Sequence, residues 1–390
     1  MGLTIGISCL FAAYFFSFGL FLPYFPVYLK ELAYTPVQIA VIVAIPNIVR
    51  IVATPVMTGI SDRAGRRRLS MSIFAVVCAL AFLVITQVQT YGVMIVVAVL
   101  MSIVLAPLQP LSDAYAYEAV KNRGLDYGRM RSWGSAAFIA ATMFGGWYLG
   151  VFSAVQLLFF IAGGLVLMAV LAQSLPGMPS EHRGQGQARD DGNSSFAELK
   201  RWELHLVLFS CGLILGSMAG LFGFGSIFWL SHQISDTNVG VLWSVGVLAE
   251  ITVFLFGGRF LAKTGPIGFM LIGAIGGTVR WIIFPHAETF WMAFVVQLMH
   301  GVNFGMTHLG MMAFLADVVS GQRLGTAQGL SQTYIGLFTG LAGMLTGLLY
   351  ETSPALAFYA MSAVAAVGLL VLLSFRNRLM AYRGVVPTGG

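Results

Sequence analysis

The sequence predicts an all-α integral membrane protein of twelve transmembrane helices in two pseudo-symmetric six-helix bundles, with both termini cytoplasmic. Three observations predict it. First, 58% of the 390 residues are hydrophobic and only 9% charged, with a mean hydropathy of +0.86, whereas a soluble domain carries about a quarter charged residues. Such a chain cannot cover itself with a water-wetted surface, which excludes a soluble enzyme, a nucleic-acid binder and a disordered regulator. Second, apolar runs of the roughly 20 residues needed to cross the hydrocarbon layer recur along the chain. Third, the basic residues between those runs gather on one side.

The runs lie at 8–29, 37–60, 70–88, 92–113, 133–151, 154–174, 204–230, 238–257, 267–285, 289–312, 326–348 and 354–375. They are apolar on every face, unlike the alternating strands of a membrane barrel. The first starts without a basic leader, outruns the core of a signal peptide and is followed by eleven more, so it is expected to stay as a span. With the N-terminus placed in the cytoplasm, eighteen of the 21 Lys and Arg fall in cytoplasmic segments. Lys30 alone falls on the other side, and Arg50 and Arg280 lie inside helices. That bias follows the positive-inside rule and sets the expected orientation in the cell's inner (plasma) membrane. The net charge of +6 is thus a matter of topology, and no nucleic-acid partner is expected.

The longest polar stretch lies midway and contains Gly-Gln repeats, Asp190, Asp191, Ser194 and Ser195. It is read as a flexible linker, giving an N-terminal bundle over 1–175, a cytoplasmic linker over 176–202, a C-terminal bundle over 203–378 and a cytoplasmic tail over 379–390. The halves echo one another: Asp62-Arg63-Ala64-Gly65-Arg66-Arg67-Arg68 follows the second span, and Gly257-Gly258-Arg259 with Lys263 and Gly265 follows the eighth. Parallel six-helix repeats are a recurring transporter architecture.

The Asp-Arg-x-Gly-Arg-Arg segment from Asp62 resembles the loop signature of the major facilitator superfamily, although Thr58 stands where that signature usually has glycine. The resemblance implies a cytoplasmic latch made by Asp62, Arg63, Gly65 and Arg66. Two longer blocks narrow the likeness: Leu125-Asp126-Tyr127-Gly128-Arg129 through Ser135, and Val239-Gly240 through Glu250. With Tyr14-Phe15-Phe16-Ser17 and Leu22-Pro23, they resemble the phenylpropionate permease-like branch, which is related to lactose permease and to nucleoside proton symporters. This implies proton-coupled uptake of a small solute, with an aromatic acid such as 3-phenylpropionate as the expected substrate.

Ionisable groups in the hydrocarbon are costly, so each is a functional candidate. Glu250 lies mid-span with no charged neighbour within a helical turn, where a carboxyl can take up and release a proton as its surroundings change. The alternative is a permanent ion pair that fixes packing. Arg50 holds the corresponding place in the first half, and Arg280 lies nearer the outer end of the ninth span. Either can bind a substrate carboxylate or hold Glu250 ionised, and Arg280 can also snorkel to the interface. In the tenth span His300, Asn303, Thr307 and His308 are polar, the first three falling in a narrow stripe that should face a cavity or another helix. His300 is a candidate proton carrier, and Asn303 and His308 are candidate substrate contacts. Two histidines eight apart without further ligands do not make a metal site. Glu, Arg and His in the eighth, ninth and tenth spans are also similar to the coupling set of lactose permease, but Asn303 stands where that permease has a second glutamate. The proton role then falls on Glu250 or on Asp113, which otherwise binds substrate or caps its helix.

In the first span Tyr14, Phe18, Phe21, Phe25 and Tyr28 build one aromatic face, suited to stacking a ring-bearing substrate or to packing. Cys9, Cys78 and Cys211 read as small buried hydrophobes. No metal or cofactor is expected, the driving force being the proton gradient, and a monomer in the bilayer is the expected functional unit. Uptake of a sugar or a nucleoside is one alternative and proton-driven export another. The fifth span contains Gly145-Gly146 but not the Gly-Pro signature of exporters. A membrane-embedded enzyme is remote, since no nucleophile with its base appears at usable spacing.

Overall fold

The computed structural model describes residues 2–177, 198–320 and 323–385, and among them every regular element is helical. In order these are α1 (Leu3–Glu31), α2 (Pro36–Ala64), α3 (Arg67–Ile85), α4 (Tyr91–Leu105), α5 (Leu108–Arg123), α6 (Tyr127–Leu149) and α7 (Ala154–Ser174). After the central stretch come α8 (Trp202–Gly216), α9 (Ala219–Ser231), α10 (Asp236–Ile283), α11 (Phe290–His300), α12 (Thr307–Val318), α13 (Leu324–Thr352), α14 (Pro354–Ser374) and α15 (Arg376–Val385).

Local chemistry sets the boundaries. Thr35 and Gln38 form a reciprocal capping box at the start of α2, with Pro36 at the first helical position, where its missing N–H costs nothing. Asp126 caps α6 by accepting the Arg129 N–H at 3.1 Å. Within α10, Gly265 takes φ 69° before Pro266, a backbone open to glycine, and there the eighth predicted span turns into the ninth.

Among the described residues, nine helical stretches are long and apolar enough to cross a membrane. One of them, Asp236–His286, has 51 residues, about 77 Å of helix, enough for two crossings. Two predicted spans fall outside the nine. Helix α6 dilutes its apolar residues with Gly134, Ser135, Thr142, Gly145 and Gly146, and the tenth predicted span is divided by a π-helical segment, Gly301–Met306, into the shorter α11 and α12. The fourth predicted span is broken at Ala106–Pro107, and the seventh at Ser217–Met218.

Contacts between Cα atoms divide the chain into two compact units, Met1–Ala188 with Ser235–Ser244, and Arg189–Ile234 with Val245–Gly390. In the first, α1 packs on α6 and α7, and α3 on α7 and α4. The opening turns of α10 join it because the Thr142 and Ser244 hydroxyls lie 2.9 Å apart, and because Gly240 leaves no side chain between α10 and the Thr142 carbonyl, which accepts from the Tyr24 hydroxyl at 2.5 Å. In the second unit, α8 packs against α13, α14 and α12. The helix expected to end at 375 is followed by α15, whose Leu379 and Tyr382 are buried with Leu204, Phe314 and Val318. Most of the expected linker, including Arg183 and Arg189, lies outside the described residues.

Candidate functional site

The polar residues of the second unit are assembled by close helix packing. At Gly301, where the π segment begins, an added Cβ would fall 2.6 Å from the Ala249 carbonyl carbon and nearer still to its oxygen. Only a residue without a side chain lets the two backbones meet so closely. That approach sets His300 beside Glu250. Their Nε2 and Oε2 atoms are 3.8 Å apart, an ion-pair distance rather than a hydrogen bond. The Nδ1 of His300 is buried without a partner. The ring stacks on Phe304, which stacks in turn on His308, with centroids 5.6 Å apart in both pairs.

Arg280 is 0% exposed. Its Nε donates to the Val296 carbonyl at 3.0 Å, its Nη2 to Gln297 Oε1 at 2.6 Å and its Nη1 to Met218 Sδ at 3.3 Å, and it lies over the Trp281 ring. It does not snorkel, and no carboxylate among the described residues pairs with it. A buried guanidinium is tolerable when its donors are satisfied, and here neutral acceptors from α11 and from the break between α8 and α9 satisfy it. Asn303 donates to the same Met218 sulfur at 3.3 Å. Its Oδ1 and the Thr307 hydroxyl are buried without partners, facing Gly277 and Gly273.

Of the three residues expected in one stripe, His300 is thus separated from Asn303 and Thr307, and the tenth predicted span presents two polar faces. His300 and His308 share a face with Phe304, while Asn303 and Thr307 turn into the unit's interior. The cause is the π segment: its wider turn shifts every later residue around the axis.

A second constellation lies in the first unit. Arg50 is exposed on α2 with no carboxylate partner among the described residues. Arg50, Asp113 and Arg131 all lie within electrostatic reach of the Tyr14 hydroxyl. Asp113 accepts from the Tyr127 hydroxyl at 2.9 Å, and the Arg131 guanidinium sits 3.9 Å over the Phe15 ring. Tyr14 and Phe18 are parallel at 6.0 Å, and with Phe21 they line a small apolar cavity completed by Phe82, Leu105 and Leu165. Phe25 and Tyr28 are packed beyond it, Tyr28 donating to the Ile85 carbonyl at 2.9 Å. Arg50 belongs to one unit, and Glu250 and Arg280 to the other.

In the loop after α2, Gly65 closes the helix with φ 62°, while Arg63 and Arg66 are exposed. The ion pairs are made by the next arginine: Arg67 reaches Asp62 at 3.2 Å and Glu118 on α5 at 2.5 Å. Arg67, Arg131, Tyr127, Gln297 and Met218 are therefore functional candidates that sequence reasoning did not single out. Gln297 stands three residues before His300, and Arg131 two after Arg129, which are the available signals. Met218 has none, since only the helix break aims its sulfur.

The chain is 27% identical over 352 residues to the probable 3-phenylpropionic acid transporter of Escherichia coli (strain K12), covering 90% of this chain and 92% of that protein. It is 26% identical over 372 residues to the maltose permease of Geobacillus stearothermophilus, covering 93% and 92%. The crystal structure of the nucleoside transporter NupG superposes with a TM-score of 0.82 at 19% identity, over 98% of this chain and 99% of that one. These relatives are transporters, not enzymes. The MFS_1 like family matches residues 5–361, and the chain belongs to that family of transporters.

Proposed function

We propose that this transporter is a secondary symporter that takes up a small organic solute with protons by alternating access, and that the solute is an aromatic carboxylic acid of the 3-phenylpropionate type. In this reading twelve spans form two bundles, over 1–175 and 203–378, joined by the cytoplasmic linker. Both termini are cytoplasmic, the membrane is the inner (plasma) membrane, and a monomer suffices. The observation that carries the proposal is the Glu250–His300 pair at 3.8 Å, placed where Glu250 has no other charged residue within two helical turns along α10. Protonating Glu250 removes the attraction of its carboxylate for the imidazole, so the packing of α10 against α11 responds to proton occupancy. Asp113, held by Tyr127, is the second candidate for the proton.

The substrate class rests on the first unit, where cations and aromatic rings adjoin. Arg50 and Arg131 offer guanidinium groups for a carboxylate, and Tyr14, Phe18 and Phe21 offer ring surface. The likeness to a probable 3-phenylpropionic acid transporter supports the same class. A sugar is the second reading, favoured by the likeness to a maltose permease. The test is uptake of labelled 3-phenylpropionate, maltose and a nucleoside into proteoliposomes, with and without an inward proton gradient. Gradient-driven accumulation of the acid alone is expected. Accumulation of maltose or the nucleoside instead would overturn the substrate, and gradient-driven extrusion would overturn uptake.

A further inference from the structure

We infer that the end of the second unit formed by the start of α8 and by α15 is a docking surface for anionic phospholipid headgroups. Its construction differs from that of a solvated charged face. Helix α15 is anchored, with Leu379 at 0% exposure and Tyr382 buried in the unit's apolar cluster, so Arg376, Arg378 and Met380 are held outward. Lys200, Arg201, Arg376 and Arg378 are all exposed here. Two of them lie on aromatic platforms: the Arg378 guanidinium is 4.3 Å over the Trp202 ring, and that of Arg201 is 5.4 Å over Tyr382.

The neighbouring acids do not cancel this charge at the surface. Glu203 pairs with Arg378 at 3.5 Å, but its side chain is 14% exposed and that of Arg378 62%. Glu198 is turned to the Ser320 N–H, which it accepts at 3.0 Å. The outward field is therefore positive. Between the cations, Trp202, Phe375 and Met380 are exposed, and Trp202 and Phe375 meet edge to face at 5.6 Å. Aromatic and apolar side chains interleaved with arginines on an anchored amphipathic helix match the headgroup layer: rings and the methionine enter the acyl boundary while the guanidinium groups meet phosphate. A soluble acidic partner would satisfy the cations but leave those apolar groups in water, so the membrane surface is the occupant that satisfies both.

This inference rests on the membrane reading of the fold but not on the substrate or the proton coupling, and it is tested independently of both. The full chain is reconstituted in vesicles of phosphatidylcholine containing a minor fraction of either brominated phosphatidylglycerol or brominated phosphatidylcholine, and the quenching lost on Trp202→Phe is taken as the Trp202 signal. Each cation at an anionic surface contributes about fivefold in partition, so phosphatidylglycerol should be preferred at Trp202. The double variant Arg376→Gln/Arg378→Gln should lose about 25-fold of that preference, and Arg376→Lys/Arg378→Lys, a control for folding, should retain it. Equal quenching by the two lipids in the wild-type protein, or an undiminished preference in the Gln double variant, would overturn the proposal. Competition by inorganic phosphate would overturn the membrane as its source.

Discussion

Gly301→Ala separates the packing that builds the site from the charges within it. The new methyl would stand 2.6 Å from the Ala249 carbonyl carbon and 3.1 Å from its Cβ. An ordinary C···O contact is about 3.3 Å or more, so the π segment and α10 must part by roughly 1 Å. Overpacking of this kind costs about 1–3 kcal/mol. If the displacement carries His300 from 3.8 Å to about 4.8 Å from Glu250, the contact between the two side chains is lost. Two assays follow the variant: thermal unfolding of the purified protein, and gradient-driven accumulation compared with downhill exchange. Accumulation should fall more than exchange. Gly258→Ala is the control, because a Cβ there meets nothing within 4 Å. If Gly301→Ala unfolds and accumulates like the wild-type protein, close packing at Ala249 is not what sets His300 against Glu250.

Three further substitutions test other parts of the account. Arg280→Met should lower thermal stability, by about 1–3 kcal/mol for each acceptor left unpaired at Gln297 and Val296, and Arg280→Lys should only partly rescue it because an ammonium cannot reproduce the fork. Arg67→Gln should lower the unfolding temperature measurably, while Arg63→Gln and Arg66→Gln should each change stability by less than about 0.5 kcal/mol. Equal effects at all three arginines would contradict the pairing seen at Arg67. Tyr14→Leu should raise the half-saturating concentration of a ring-bearing acid by up to about tenfold, since an aromatic pair is worth about 0.5–1.5 kcal/mol, and should leave a non-aromatic acid unaffected.

The all-helical character was legible because apolar runs of spanning length leave the backbone few alternatives. The candidate charges were legible for a similar reason: Glu250 and Arg280 stand out against apolar neighbours. Their partners were not legible. Whether Arg280 faces lipid, Glu250 or the interior depends on where Gln297 and Met218 are carried by the packing of α10, α11 and the break after α8, and no local spacing encodes that. The division of His300 and His308 from Asn303 and Thr307 escaped an ordinary helical wheel because the π segment intervenes. Its sequence trace is two pairs of glycines four apart: Gly301 and Gly305, which face Ala249 and Val253, and Gly273 and Gly277, which face Thr307 and Asn303. Asp62 was in view, but its pairing with Arg67 rather than Arg63 or Arg66 was not, because the reach of Arg67 to Glu118 is a tertiary contact across 51 positions of chain.

The most direct test of proton coupling through Glu250 is Glu250→Gln in proteoliposomes loaded with buffer and given labelled 3-phenylpropionate. The substitution keeps the size of the side chain and removes the titrating group. Proton coupling through Glu250 predicts that accumulation driven by an inward proton gradient disappears while equilibrium exchange of substrate persists. Undiminished gradient-driven accumulation in Glu250→Gln would contradict it and move the proton to another group, with Asp113 next in line.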